Sequence, residues 1–165
     1  MGVSRLSWVF NLSLVITGLC LLSACVSLGL ILPGLLAKIG IAFGVVCSLS
    51  LSLVGVFPMN KIEPHAFAAM TYFRAGLVMV ALFSLAIVFQ PGSEVIISRW
   101  YAMAGLPPLL SFTAFLILAR VNSQKESAAL EVEETEREEV SLIVVAEWAI
   151  FITLVVWFNL IANGF

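Results

Sequence analysis

Glu147 stands inside an apolar run from about Val140 to Ile161. A carboxylate in such a segment costs roughly 2.5–3.5 kcal/mol on insertion scales, so an ion pair, an exchangeable proton or a ligand is expected beside it. Arg74, at the start of another apolar run and on the same side by the count of runs, is the expected partner, because an Arg–Glu pair relieves the cost of burying either charge. The pair could be purely structural or part of a site. A second polar group lies in GVFPMNKIEPH, from Gly55 to His65, where Asn60, Lys61, Glu63 and His65 crowd a short connection between two apolar runs. An imidazole can carry a proton or donate a hydrogen bond to a phosphate, and it can equally cap a helix through a backbone bond. Asn11, near the start of the first run, faces the same region if its helix turns its polar face inward. Asn11, Lys61, His65, Arg74 and Glu147 are therefore the expected ligand-binding residues, offering cations and donors to a small anion, with Glu147 holding Arg74 in place.

The chemistry this set excludes is broad. The chain contains no Asp and one His, so most clustered metal sites are ruled out and a bis-histidine haem could form only across a dimer. No nucleophile–base pair or metal spacing is present, and neither a cofactor nor an enzymatic reaction is expected. The eight basic residues are scattered singly, without the stripe that tracks nucleic-acid phosphates.

The elements that position these residues follow from composition. Of 165 residues, 62% are hydrophobic and 11% charged, with mean hydropathy +1.14. Seven of the ten acidic residues lie between Glu126 and Glu139, which leaves long stretches almost free of charge. Five apolar runs approach or exceed the ~20 residues that cross a ~30 Å hydrocarbon core. They extend from about Trp8 to Leu32, Ile39 to Phe57, Thr71 to Phe89, Trp100 to Ala119 and Val140 to Ile161. Pro33-Gly34, Pro58, Pro64 and Pro91-Gly92 punctuate them. The expected fold is an all-α integral membrane bundle of about five transmembrane helices, a single domain over the whole chain. Trp8, Trp100, Tyr101 and Trp157 are expected at the headgroup level.

Basic residues set the orientation. Arg5, Lys61, Arg74, Arg120, Lys125 and Arg137 fall on one side, and Lys38 and Arg99 on the other. This predicts a multi-pass protein of the cell membrane with its N-terminus in the cytoplasm, and puts an acidic helical segment of about residues 121–139 there as well, in which Glu126 to Glu139 extends the fifth helix. That tract could attract cations, but its glutamates lack ligand spacing and suit a solvated helix better. Leu22-Ser23-Ala24-Cys25 has the form of a lipoprotein cleavage box. The apolar sequence continues past it without a polar tether, so an uncleaved span is expected.

Cys20, Cys25 and Cys47 all lie in apolar runs and are expected to pack as small hydrophobes. On the second helix Gly40, Gly44, Ser48 and Ser52 recur every fourth position, with Gly55 one turn further. Such a ridge of small residues lets backbones approach in lipid, either within the bundle or against another copy or another membrane protein. Gly105-Leu106-Pro107-Pro108 predicts a kink in the fourth span.

Trp8-Val9-Phe10-Asn11-Leu12, Gly55-Val56-Phe57-Pro58 and His65-Ala66-Phe67-Ala68-Ala69 together resemble a prokaryotic multi-span membrane family known only as domain of unknown function 998. The likeness covers about half the chain, from Trp8 to Phe89, and matches at Asn11, Gly55, Phe57, Pro58 and His65. Family members usually carry a further N-terminal helix that has no counterpart among the five runs. More distantly the pattern is similar to the DRAM/Frag/Sfk membrane family, which implies a role connected with membrane lipids. The function expected is a non-catalytic binder of lipid headgroups or a small anion on the cytoplasmic side. The alternatives are an accessory subunit of a membrane complex docking through the second helix, and a small transporter or membrane enzyme in which Glu147 and His65 exchange protons. A single intramembrane carboxylate and the lack of an inverted repeat speak against the last.

Overall fold

A computed structural model describes residues 7–57, 60–92, 95–129 and 142–164. All regular structure among them is helical: α1 (Ser7–Ile31), α2 (Leu35–Val56), α3 (Ile62–Val88), a 3-10 helix (Arg99–Gly105), α4 (Leu106–Ala129) and α5 (Leu142–Ala162). Five helical segments are long and apolar enough to cross a membrane, the fourth comprising the 3-10 helix and α4 as far as Gln124. Arg5, Pro58, Arg137 and the acidic tract from Leu130 onward lie outside the described residues.

The helices form because no proline interrupts their interior backbone bonds. Prolines fall at the ends, where a missing N–H removes no internal bond: Pro64 in the first turn of α3, Pro107 and Pro108 in the first turn of α4. The expected kink in the fourth span is accordingly a junction, where a 3-10 helix ends at Gly105 and α4 begins. Gly34, at φ 91°, makes the tight reversal between α1 and α2, a conformation that disfavours any side chain.

α1 packs on α2, α2 on α3, α3 on the 3-10 helix and α4, and α4 on α5. The small-residue ridge of α2 is consumed inside this array. A Cβ on Gly44 would stand 2.6 Å from Cys25 Cβ of α1, and one on Gly40 would stand 3.0 Å from the Phe83 ring of α3. Ser48 and Ser52 receive Gly18 of α1, and their hydroxyls donate to Gly44 O at 2.7 Å and Ser48 O at 3.1 Å. Cys25 and Cys47 are fully buried, with Cys25 Sγ 3.2 Å from Met79 Sδ, whereas Cys20 is exposed.

Three expectations change. α3 begins at Ile62, about two and a half turns before the apolar run does, because Lys61, Glu63 and Pro64 are tolerated in or before a first turn. Glu126 to Ala129, expected in an extension of the fifth helix, continue α4 instead, since nothing interrupts good helix formers there, and the rest of that expected extension lies outside the described residues. Trp8 and Trp100 are exposed at helix ends, but Trp157 is completely buried beside Gly105, so packing and not the headgroup region fixes it.

Candidate functional site

Two polar sites lie toward the end of the bundle where α1, α3 and α5 begin. The first is a cavity of about 270 Å3 between α1, α2, α3 and α5. His65 and Glu147 supply its polar surface, and Phe10, Leu51, Tyr72 and Phe151 are among its apolar walls. The early start of α3 makes His65 a first-turn helix residue and not a loop residue. Its Nδ1 lies 2.7 Å from Phe57 O, the carbonyl at the C-terminal cap of α2. A carbonyl only accepts, so Nδ1 carries the hydrogen, and the imidazole caps α2 where a histidine is favoured. In the neutral ring Nε2 is then the acceptor.

Asn11, half-buried, is not part of this cavity wall. Its backbone carbonyl is where a Cβ on Gly55 would collide, so α1 and α2 cross in contact at that point. Asn11 with Gly55, and Phe57 with His65, thus hold one corner of α1, α2 and α3 together.

The second site is an open groove of about 780 Å3 between α3 and α4. Arg74 and Arg120 both line it, together with Thr113, Ser123 and Gln124, and among the described residues none of its lining is acidic. Among the described residues neither guanidinium has an ion-pair partner. Arg74 therefore does not join Glu147, and it stands mid-helix, about 18 Å along α3 from Ile62 at ~1.5 Å per residue. Lys61, exposed at the start of α3, lines neither cavity.

The expected five-residue site is thus divided. His65 and Glu147 are brought together, Arg74 is paired in space with Arg120, and Asn11 and Lys61 stand apart from both. The sequence reading missed Arg120 as a site residue, although its place at the close of the fourth apolar run marks it as a headgroup-level cation. It also missed Tyr72, 1% exposed, whose hydroxyl has no hydrogen-bond partner. The only signal for that residue was a phenol embedded in an apolar run. No cluster of three or more metal-ligating side chains occurs among the described residues.

No family model, curated protein or solved structure matches the chain. The fold by itself defines a class: a multi-pass helical membrane protein.

Proposed function

We propose that the protein is a non-catalytic membrane protein that binds anionic lipid headgroups, or a small anion of the same phosphate chemistry, at the cytoplasmic face of the cell membrane. The observation that carries this reading is the groove that Arg74 and Arg120 both line, with no acid among the described residues of its wall. Both arginines are exposed in the groove. A phosphate lying between them accepts charge-assisted, bidentate hydrogen bonds, and the guanidinium fork suits phosphate oxygens. The six-to-two distribution of basic residues supports an N-terminus in the cytoplasm, on the leaflet rich in anionic lipid. The resemblance to the prokaryotic family, and through it to lipid-linked membrane proteins, adds an analogy in the same direction. The accessory-subunit reading is weakened, because α1 and α3 pack on the α2 ridge expected to dock a partner.

Native mass spectrometry of the protein released from mild detergent tests the proposal, comparing wild type with Arg74→Ala and Arg120→Ala. A retained phosphatidylglycerol or inorganic phosphate that either substitution removes supports it, and the retained mass tells lipid from free anion. A bare protein, or an anion retained equally by both variants, refutes it.

A further inference from the structure

Between α1 and α5 three cavities stand in series. The first is the chamber of His65 and Glu147. The second, about 230 Å3, shares Leu51, Tyr72 and Phe151 with it. The third, about 350 Å3, shares Ala24, Phe158 and Asn159 with the second and reaches Ile31. From Phe10 to Ile31 α1 rises about 31 Å, the depth of a hydrocarbon core. α1 packs chiefly on α2, and α5 on α4, so a continuous cleft is left between the two helices.

The cleft has the polarity of an amphiphile. Its middle and far chambers are mostly apolar; of their polar side chains Thr17 and Asn159 donate to carbonyls of their own helices, at 2.7 Å each, and Ser27 lies exposed in the far chamber. Tyr72 differs. It walls both the first and second chambers, is 1% exposed, and its hydroxyl is unpartnered. A buried phenol left so loses its hydration without replacement, a loss that a ligand oxygen beside it would restore. Glu147 closes the polar end as a carboxylate, and the cavity wall holds no cationic side chain other than His65 among the described residues. A phosphate placed there would meet an anion, whereas an ammonium would meet a counter-ion.

We propose that the cleft seats one acyl chain of an amine-headed glycerolipid, with the ammonium at Glu147 and an ester carbonyl accepting a hydrogen bond from the Tyr72 hydroxyl. His65, which shares the polar chamber with Glu147, stands about 10 Å along α3 from Tyr72, a spacing comparable to the reach from the amine to the ester of a phosphoethanolamine headgroup. This goes beyond the anionic-headgroup reading, since neither Arg74 nor Arg120 lines the cleft, and the two readings fail separately.

The test uses the full chain carrying Arg74→Ala and Arg120→Ala, so that the basic groove retains no phosphatidylglycerol, in mild nonionic detergent and offered equal phosphatidylethanolamine and phosphatidylglycerol, with bound lipid read by native mass spectrometry. A charge-assisted contact at Glu147 is expected to favour phosphatidylethanolamine about tenfold. Glu147→Gln should erase that preference. Tyr72→Phe, which removes a single oxygen, should lower phosphatidylethanolamine retention about threefold or more. Ala24→Trp, placed where the second and third chambers meet, should lower it too by filling the chain seat, and bound phosphatidylethanolamine should slow maleimide labelling of Cys20 in the wild type. Each variant is checked for an unchanged unfolding midpoint in lipid-free detergent, and Tyr72→Phe carries the test if Ala24→Trp misfolds. A preference that survives both Glu147→Gln and Tyr72→Phe, or no preference at all, overturns the proposal. So does a Cys20–Cys20 cross-link between copies that phosphatidylethanolamine fails to displace, since a second copy would then occupy the cleft.

Discussion

His65 and Arg74 stand on opposite faces of α3. They lie nine positions apart in one helix, two and a half turns at ~3.6 residues per turn. His65 consequently walls the chamber that holds Glu147, while Arg74 walls the groove that holds Arg120. The half-turn offset separates an acidic, chain-length cleft on one side of the helix from a basic, open groove on the other. α3 is the shared wall, and Tyr72, Phe73 and Phe112 fill the space between with edge-on ring contacts at centroid distances of 4.9 Å and 6.0 Å from Tyr72.

The bond between His65 Nδ1 and Phe57 O fixes the turn from α2 into α3. His65→Ala should lower stability by about 1 kcal/mol, the net worth of one such bond. Reversible unfolding in mixed micelles reads this directly, and an unchanged midpoint would mean that the cap contributes nothing.

Close approach of α1 and α2 depends on residues without side chains. Gly44→Ala should cost about 1–3 kcal/mol, because its Cβ would sit 2.6 Å from Cys25 Cβ and neither helix can retreat freely. Gly92→Ala is the control: no atom lies within 4 Å of the added carbon. Equal stability of the two variants would contradict the packing described.

Gly105 receives Ser84 Oγ where the 3-10 helix meets α3, with Trp157 Nε1 3.5 Å from the position of an added Cβ. Gly105→Ala should destabilise, and Ser84→Gly introduced beside it should recover part of the loss. A double-mutant cycle is expected to give a coupling of about 0.5–3 kcal/mol, and additivity would show that the two positions do not touch.

At the opposite end Gln90, 2% exposed, pins the connection between α3 and the 3-10 helix. Its Nε2 donates to Ile87 O and Ile97 O at 2.8 Å and 2.9 Å, and its Oε1 accepts from the amides of Ile96 and Ile97 at 2.9 Å and 3.2 Å. Gln90→Leu should cost at least about 2 kcal/mol, since it strands several buried backbone groups together. Hydrogen exchange at Ile96 and Ile97 should accelerate; unchanged protection would refute the pinning role.

Five membrane-length helices were legible in the sequence, because each must satisfy its own backbone in hydrocarbon and so announces itself as an uninterrupted apolar run. Glu147 and His65 were legible as exceptional for the same reason, as polar groups where few are tolerated. Their grouping with Arg74 was not. Apolar content dates the start of α3 to Thr71, and without the preceding turns from Ile62 the phase relating His65 to Arg74 cannot be drawn. Trp157 shows the same limit: an aromatic near a span end has the composition of an interface anchor, yet it is buried against Gly105. What the sequence by itself determined was the solvent, the number of spans and which side chains are costly, all of which depend on local composition. Only the tertiary structure decided which helices touch, which leave a cleft between them and which charges meet. Those depend on the rotational phase of each helix, and in a chain apolar on nearly every face, hydrophobicity does not encode that phase.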